Sequence, residues 1–362
     1  MAELTQHYKK NPIKNAAAIF AMVFTLAHMV YAQDDWTYNT NPSASGWDTS
    51  DLEELNEFII DSTVVTGLMI VHNGAVVFDY GDIEENSYIA SCRKSVLAML
   101  YGKYVDNATI DLNKTIEELG IDDVEGLLPI EKKATIEDLI TARSGVYHPE
   151  GYAGGWQELA PKRGSVEPGS YWLYNNWDFN VAGFVFEQET HKNIYDEIED
   201  QLAIPLGMED WDRSIQIKQG DTTKSRYLAY PMDFSTRDMA KIGQLMLQKG
   251  EWHGKQIISE KWINKMIQQR TSYKELNTNA PYFRNSGVNF GYGYMWWLFE
   301  DMNDPKFNGA YAALGAMGQA IAIFPEIDVV AVYKTKETYE RVNSFQVRLD
   351  IIKKIVDLYH PN

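Results

Sequence analysis

One cysteine, Cys92, is the whole thiol content of this 362-residue chain. No intramolecular disulfide can form, and a zinc site built on thiolates is excluded. Basic side chains are also scarce, since 33 Lys and Arg face 51 Asp and Glu for a formal net charge of −18. Nucleic acid and anionic membrane surfaces need a basic footprint, so neither is expected as a partner. The motifs of the commoner hydrolytic routes are missing as well. No Gly-x-Ser-x-Gly turn presents a serine at a strand-to-helix junction. Of seven histidines, His7 and His28 lie near the N-terminus, and none stands in His-x-x-x-His spacing. Serine–histidine–aspartate and zinc-dependent chemistry therefore have no positive sign, and neither a metal nor another cofactor is expected. Internal repeats and low-complexity runs are absent.

What is present is ordinary globular composition, 45% hydrophobic and 23% charged, in a chain long enough for an extensive core. Lys9, Lys10 and Lys14 precede an uncharged, largely apolar run from Ala16 to Ala32, followed by Gln33-Asp34-Asp35. That order reads as a secretory signal peptide over residues 1–32, cleaved after Ala32. The expected location is secreted, periplasmic or cell-envelope. The run is short for a span of about 20 apolar residues. An uncleaved anchor is the alternative, and the only expected source of membrane contact.

Residues 33–362 then read as one domain. Leu52, Leu55, Phe58 and Ile59 repeat at helical spacing. Apolar, β-branched runs at 64–70 and 75–78 flank Asn73-Gly74, the strongest short hairpin signal. Helices are predicted over Ser91–Tyr104, from Thr135, over Phe179–Thr190 and Ile194–Leu202, and over Ser235–Gln248. Thr135 with Asp138 and Ser235 with Asp238 have capping-box spacing. Strand-like segments return at Gly291–Leu298, Ala320–Phe324 and Val329–Tyr333, before a closing helix over Val347–Leu358. The expected fold class is α+β (an α/β sandwich): an antiparallel sheet built from both chain ends, flanked by helices. An all-helical lobe, about residues 91–215, is expected as an insertion.

The candidate chemistry starts at Ser91-Cys92-Arg93-Lys94, after the strand-like Tyr88-Ile89-Ala90. In the first turn of a helix, residues i and i+3 share a face. The positive end of the helix favours a developing alkoxide at Ser91 and disfavours a protonated Lys94. A neutral lysine beside a serine hydroxyl is the arrangement covalent catalysis needs. By itself the spacing is empty of information: 17 serines and 23 lysines in 362 residues give about one such pair by chance. Cys92, at i+1, points off that face and reads as a buried structural thiol. Arg93 reads as a helix-surface charge or an ion-pair partner.

Four further features lie downstream. Tyr174-x-Asn176 precedes a helix. Thr135-Ile136-Glu137-Asp138-Leu139-Ile140-Thr141-Ala142-Arg143-Ser144-Gly145 and Pro205-Leu206-Gly207-Met208 lie on either side of it. Gly315-Ala316-Met317-Gly318-Gln319 comes before an apolar strand ending at Phe324-Pro325-Glu326. Together with Ser-x-x-Lys, they resemble the serine β-lactamase and penicillin-binding-protein superfamily, near its class C and esterase-like branch. The resemblance covers about residues 52–358. It implies that Ser91 is the acylated nucleophile, Lys94 its proton acceptor and Tyr174 the phenol that shuttles a proton. It further implies that Asn176 orients Lys94 and the substrate carbonyl, with the Ser91 and Ala316 N–H groups, beside Gly315, forming the oxyanion hole. Gln319 is a lesser candidate, at the turn or within reach of the pocket.

One departure narrows the reading. The superfamily carries Lys or His two residues before that glycine, to hold a substrate carboxylate, and here the residue is Ala313. Lys334-Thr335-Lys336 lacks the glycine and reads as a strand end. The implied enzyme is a serine hydrolase working through a Ser91 acyl-enzyme on a small ester, amide or peptide, with neutral esters and amides favoured. The alternative is a β-lactamase, D-alanyl carboxypeptidase or D-aminopeptidase. A non-catalytic sensor of the same fold would be expected to lose Ser, Lys or Tyr, and all three are kept. Tyr147, His148, Tyr152, Trp156, Trp172 and Trp177 crowd the neighbouring loops. At least half of them are expected to be packing rather than pocket wall.

Overall fold

A computed structural model describes residues 36–152, 154–284, 286–336 and 343–361. The expected signal segment, residues 1–32, lies outside the described residues. Asp48 caps helix α1 (Thr49–Ser62) by accepting from the Ser50 N–H, and Leu52, Leu55 and Ile59 form its buried stripe. Strands β1 (Gly67–His72) and β2 (Ala75–Gly81) pair antiparallel across Asn73-Gly74. Both turn residues have positive φ, 52° and 75°, the hairpin geometry that matches strand twist.

β3 (Ser87–Tyr88) leads directly into α2 (Cys92–Asp106). Helices α3 (Ile136–Ile140), α4 (Asn176–Thr190) and α5 (Ile194–Ile198) follow among long loops. β4 (Asp233–Phe234) then returns to pair with β3. Next come α6 (Thr236–Leu247), the small hairpin β5 (Glu251–Trp252) and β6 (Lys255–Gln256), α7 (Glu260–Met266) and α8 (Tyr273–Asn279). The chain closes with β7 (Phe290–Tyr292), β8 (Trp297–Phe299), β9 (Tyr311–Gly315), β10 (Gln319–Phe324), β11 (Val329–Lys334) and α9 (Phe345–Asp357).

Seven strands make one antiparallel sheet in the order β2-β1-β11-β10-β9-β8-β7. The sheet therefore joins the two chain ends, as the sequence pattern predicts. Every residue of β1, β10 and β11 is buried, so both faces of the sheet centre are covered. Helix α6 packs on these three strands, while α2 packs against β9, β10, α4, α5 and α7. Nearly all of α2 is buried, the mark of a helix surrounded on every side. Trp262 fixes its depth. Its Nε1 donates to the Ala98 carbonyl at 2.8 Å, and a Cβ on Gly102 would come within 2.4 Å of its ring.

Several boundaries differ from the sequence reading. Helix α4 begins three residues early because Asn175, not a later residue, caps it through the Trp177 N–H. The helix predicted over Ile194–Leu202 gives way after Ile198 to a π-helical turn over Glu199–Ala203. The aromatic run at 291–298 is two strands, not one. The Gly293 and Tyr294 N–H groups turn to Trp296 and Met266 carbonyls, and Met295 sits at φ 58°. The Thr135–Asp138 capping box forms in both directions. At Ser235 only half of one forms, because the Asp238 carboxylate receives the Glu209 and Asp210 N–H groups instead.

Candidate active site

The chain reaches Ser91 through strained backbone. Ala90 lies in the left-handed region at φ 49°, a conformation that costs a non-glycine residue about 1 kcal/mol or more. Ser91 occupies the N-cap of α2, where a serine hydroxyl ordinarily accepts from an N–H of the first turn. Here it makes no capping bond. Its Oγ lies 3.0 Å from Lys94 Nζ, and the same Nζ lies 2.8 Å from the Tyr174 hydroxyl. Lys94 is 1% exposed. Its ammonium position is roofed by the rings of Tyr174 and Phe179, at 4.3 and 4.6 Å.

Burial acts on the protonation of Lys94 and Tyr174. It pushes Lys94 well below its ordinary value, helped by the nearby Arg93 charge and opposed by Glu150. The same burial pushes the Tyr174 phenol upward, against smaller effects of the Ser91 hydroxyl and Arg93. One cause thus acts in opposite directions on an amine and a phenol, and both are driven neutral. A neutral amine has two N–H donors and one lone pair, so it can donate to one oxygen while accepting from the other.

Tyr174 is held from several sides. Its carbonyl accepts from the Trp156 N–H at 2.8 Å and its ring stacks on Trp297 at 5.5 Å. The next residue, Asn175, donates to the Val146 carbonyl at 2.6 Å and to Asp178 Oδ1, which also takes the Ser144 hydroxyl. Asn176 opens α4. Its Nδ2 donates to the Tyr152 carbonyl at 3.2 Å, and its buried Oδ1 has no partner. The expected contact of Asn176 with Lys94 is therefore not made here.

The third element is the end of β9. A Cβ on Gly315 would stand 2.8 Å from the Ile89 carbonyl and 3.1 Å from Ala90 Cβ. Only a glycine lets this strand touch the backbone that delivers Ser91. Ala316 follows, exposed, and Met317 turns the chain at φ 65°. A left-handed residue thus stands beside each implied oxyanion donor, Ala90 before Ser91 and Met317 after Ala316.

Gln319 is a correction. Its side chain is 2% exposed, accepting the Thr335 N–H and donating to the Thr335 carbonyl. It ties β10 to the end of β11 rather than facing substrate. β11 ends at Lys334, whose buried ammonium donates to the Glu85 and Phe234 carbonyls.

The Beta-lactamase family model matches residues 62–350, most of the chain and all of the elements just described. The chain belongs to the Beta-lactamase family. Solved structures repeat its fold at low identity. A Bacillus anthracis protein provisionally assigned as a 6-aminohexanoate-dimer hydrolase is 22% identical, with TM-score 0.63 over 84% of this chain and 81% of that one. EstCE1, a hydrolase with promiscuous acyltransferase activity, is 15% identical, with TM-score 0.60 over 85% and 97%. An octameric penicillin-binding-protein homologue from Pyrococcus abyssi is 19% identical, with TM-score 0.59 over 84% and 77%. This family is one of serine hydrolases and related acyl-transfer enzymes, and the fold alone does not separate their substrates.

Against that family background, two charged residues change meaning. Arg93 is no surface charge. It is 1% exposed, and among the described residues no carboxylate pairs with it. Position i+2 of a first turn reads as solvent-facing until the burial of the whole helix is known. Glu150 was not signalled at all. It lies in an irregular loop, its Oε1 accepting from the Gly155 N–H at 3.2 Å and its buried Oε2 unpartnered. Burial raises its pKa, and Lys94 opposes that shift, so a carboxyl group stands within electrostatic reach of the Lys94 amine. Cys92 is fully buried and its thiol is pushed up by desolvation. Of the six loop aromatics, His148, Trp172 and Trp177 are buried, while Tyr147, Tyr152 and Trp156 keep accessible surface. Trp156 packs on Tyr174 at 5.2 Å and on the half-exposed Tyr282 at 4.9 Å, forming an aromatic wall beside the phenol.

Proposed function

We propose that the protein is an esterase or amidase in which Ser91 is acylated and Lys94 takes its proton. The observation that carries this reading is the buried Lys94 amine, within hydrogen-bond distance of both Ser91 Oγ and Tyr174 OH. Geometry comes first for a general base, and this one meets it without bound substrate. In the proposed sequence, neutral Lys94 accepts the Ser91 proton as Oγ attacks the carbonyl carbon. The negative charge moves to the carbonyl oxygen, where the Ser91 and Ala316 N–H groups receive it. One such donor is typically worth about 3 to 4 kcal/mol in the transition state. Tyr174, a phenol rather than a phenolate, relays the proton from Lys94 to the leaving alkoxide or amine. Water then enters, gives its proton back through the same pair and releases the acid.

The absence of a cation at Ala313, which is fully buried and pairs with Ile321, supports a small neutral ester or amide. The accessible Trp156 and Tyr282 suit an apolar acyl or aryl group. A second reading rests on Arg348, whose guanidinium lies 3.5 Å from the Gly315 carbonyl. A cation there could hold the carboxylate that Ala313 cannot, as a β-lactam or D-alanyl peptide would require. Short-chain nitrophenyl esters and a chromogenic cephalosporin, tested on wild type and Ser91→Ala, separate the two. Ester turnover that vanishes in Ser91→Ala supports the first reading. Faster cephalosporin turnover, lost in Arg348→Ala, supports the second. The expected export signal goes with an extracytoplasmic enzyme, which N-terminal sequencing of the mature protein checks.

A further inference from the structure

Arg93 presents a problem the proposed mechanism leaves unused. Its guanidinium is sealed among neutral groups. It lies 4.4 Å over the Tyr230 ring, and one Nη donates weakly to Asn180 Oδ1 at 3.4 Å. Among the described residues its Nε and other Nη have no hydrogen-bond partner. The remaining groups close enough to feel its charge are the phenols of Tyr88, Tyr195 and Tyr174 and the amine of Lys94. A buried cation without a counter-charge is strongly unfavourable, and an apolar residue of similar volume is often more stable in its place. Such a group calls for a role outside folding.

We propose that Arg93 is a positioning residue whose uncompensated charge, one residue before Lys94, adds to burial in keeping the Lys94 amine free of its proton. The inference rests on the reading of Lys94 as the base of Ser91. Guanidinium is the group suited to this, because it stays charged at any pH a protein survives, whereas a second lysine there would lose its own proton. Around Lys94, its own helix supplies Ser91, Cys92 and Arg93. The loop before α4 supplies Tyr174, and α4 itself supplies the uncharged Phe179. The 145–172 loop supplies Glu150, the one acidic group in reach among the described residues. Arg93 and Glu150 therefore oppose each other across the amine, and the desolvated site makes both effects larger than they would be in water.

The test is the pH dependence of fluorophosphonate labelling of Ser91, with Arg93→Met, Arg93→Lys and Glu150→Gln beside wild type. The probe needs no knowledge of substrate. In Arg93→Met the acid limb moves to higher pH by about one unit, so that labelling below the limb falls about tenfold. Arg93→Lys moves the limb in the same direction as Arg93→Met, because the buried lysine sheds its own proton and with it the charge. Glu150→Gln moves the limb the other way, to lower pH. The melting temperature of Arg93→Met stays level or rises, because an unpaired buried charge has gone. An unshifted limb in Arg93→Met overturns the proposal. So does a protein that unfolds or melts lower, which would show that the cation holds the core. Failure of wild type to label at Ser91 at all would instead remove the underlying catalytic reading, and is seen before any variant is made.

Discussion

At the residue scale, the proposed chemistry turns on a few atoms around Lys94 Nζ. Replacing Lys94 with Met removes the proposed base while keeping an apolar stem, so acylation should fall by about 10²- to 10⁴-fold without loss of folding. Stopped-flow or steady-state ester hydrolysis reads the loss, and circular dichroism checks the fold. Tyr174→Phe keeps the stacking on Trp297 and removes only the hydroxyl 2.8 Å from Nζ. Its kcat should drop more than its KM changes, since in the proposed sequence the phenol acts on the proton in flight rather than on binding. The sign of the pH effect follows from burial. Lys94 has a folded value well below its ordinary one, so activity is present above that value and lost as pH falls through it.

At the element scale, β9 and α2 must meet at Gly315. In Gly315→Ala the added Cβ would press on the Ile89 carbonyl and Ala90 Cβ, pushing the Ala316 N–H away from the proposed oxyanion position. A kcat loss of about 10²-fold, together with a lowered melting temperature, is the expected outcome. Away from the site, Thr135→Ala breaks both halves of a capping box. It should cost about 1 kcal/mol of stability and leave kcat unchanged, as read by denaturant unfolding and ester kinetics. The same contrast shows what was legible in the sequence. Asn73-Gly74, Thr135 with Asp138 and the stripe of α1 are local patterns, and each forms where its spacing puts it. Arg93 and Glu150 were not legible in the same way. Whether a charge at i+2 of a helix or in an irregular loop is buried depends on elements far away in the chain. Gln319 misled for a related reason, since its partner Thr335 lies sixteen residues on. The split of the 291–298 run was hidden because Met266, which takes the Tyr294 N–H, belongs to a different helix.

At the scale of the whole molecule, both ends of the chain meet in one sheet, and the site lies where α2, the loop before α4 and the end of β9 converge. Charge buried in this frame makes stability depend on pH. Lys334, 2% exposed, has its pKa lowered by burial to about 8. Between that value and the unfolded value near 10.5 the unfolded chain holds a proton on this lysine that the folded protein lacks, so Lys334 makes stability rise with pH in this window by at most about 1.4 kcal/mol per pH unit, on top of the same-signed contribution of buried Lys94. Above about pH 10 the buried phenols, Tyr333 among them, reverse the trend, because their raised values favour the protonated, folded state. Thermal melts from pH 7.5 to 9.5 should show a rising slope in wild type that is flattened in Lys334→Met. An equal slope in both would assign the effect elsewhere.

The central claim is that Ser91, and no other serine, is the nucleophile activated by Lys94. Peptide mapping by mass spectrometry after fluorophosphonate treatment, repeated across a pH series, tests it most directly. The account predicts one adduct, on the peptide carrying Ser91, forming more slowly as pH falls and absent from Ser91→Ala and Lys94→Met. An adduct on another residue, or labelling that survives in Ser91→Ala, would contradict it.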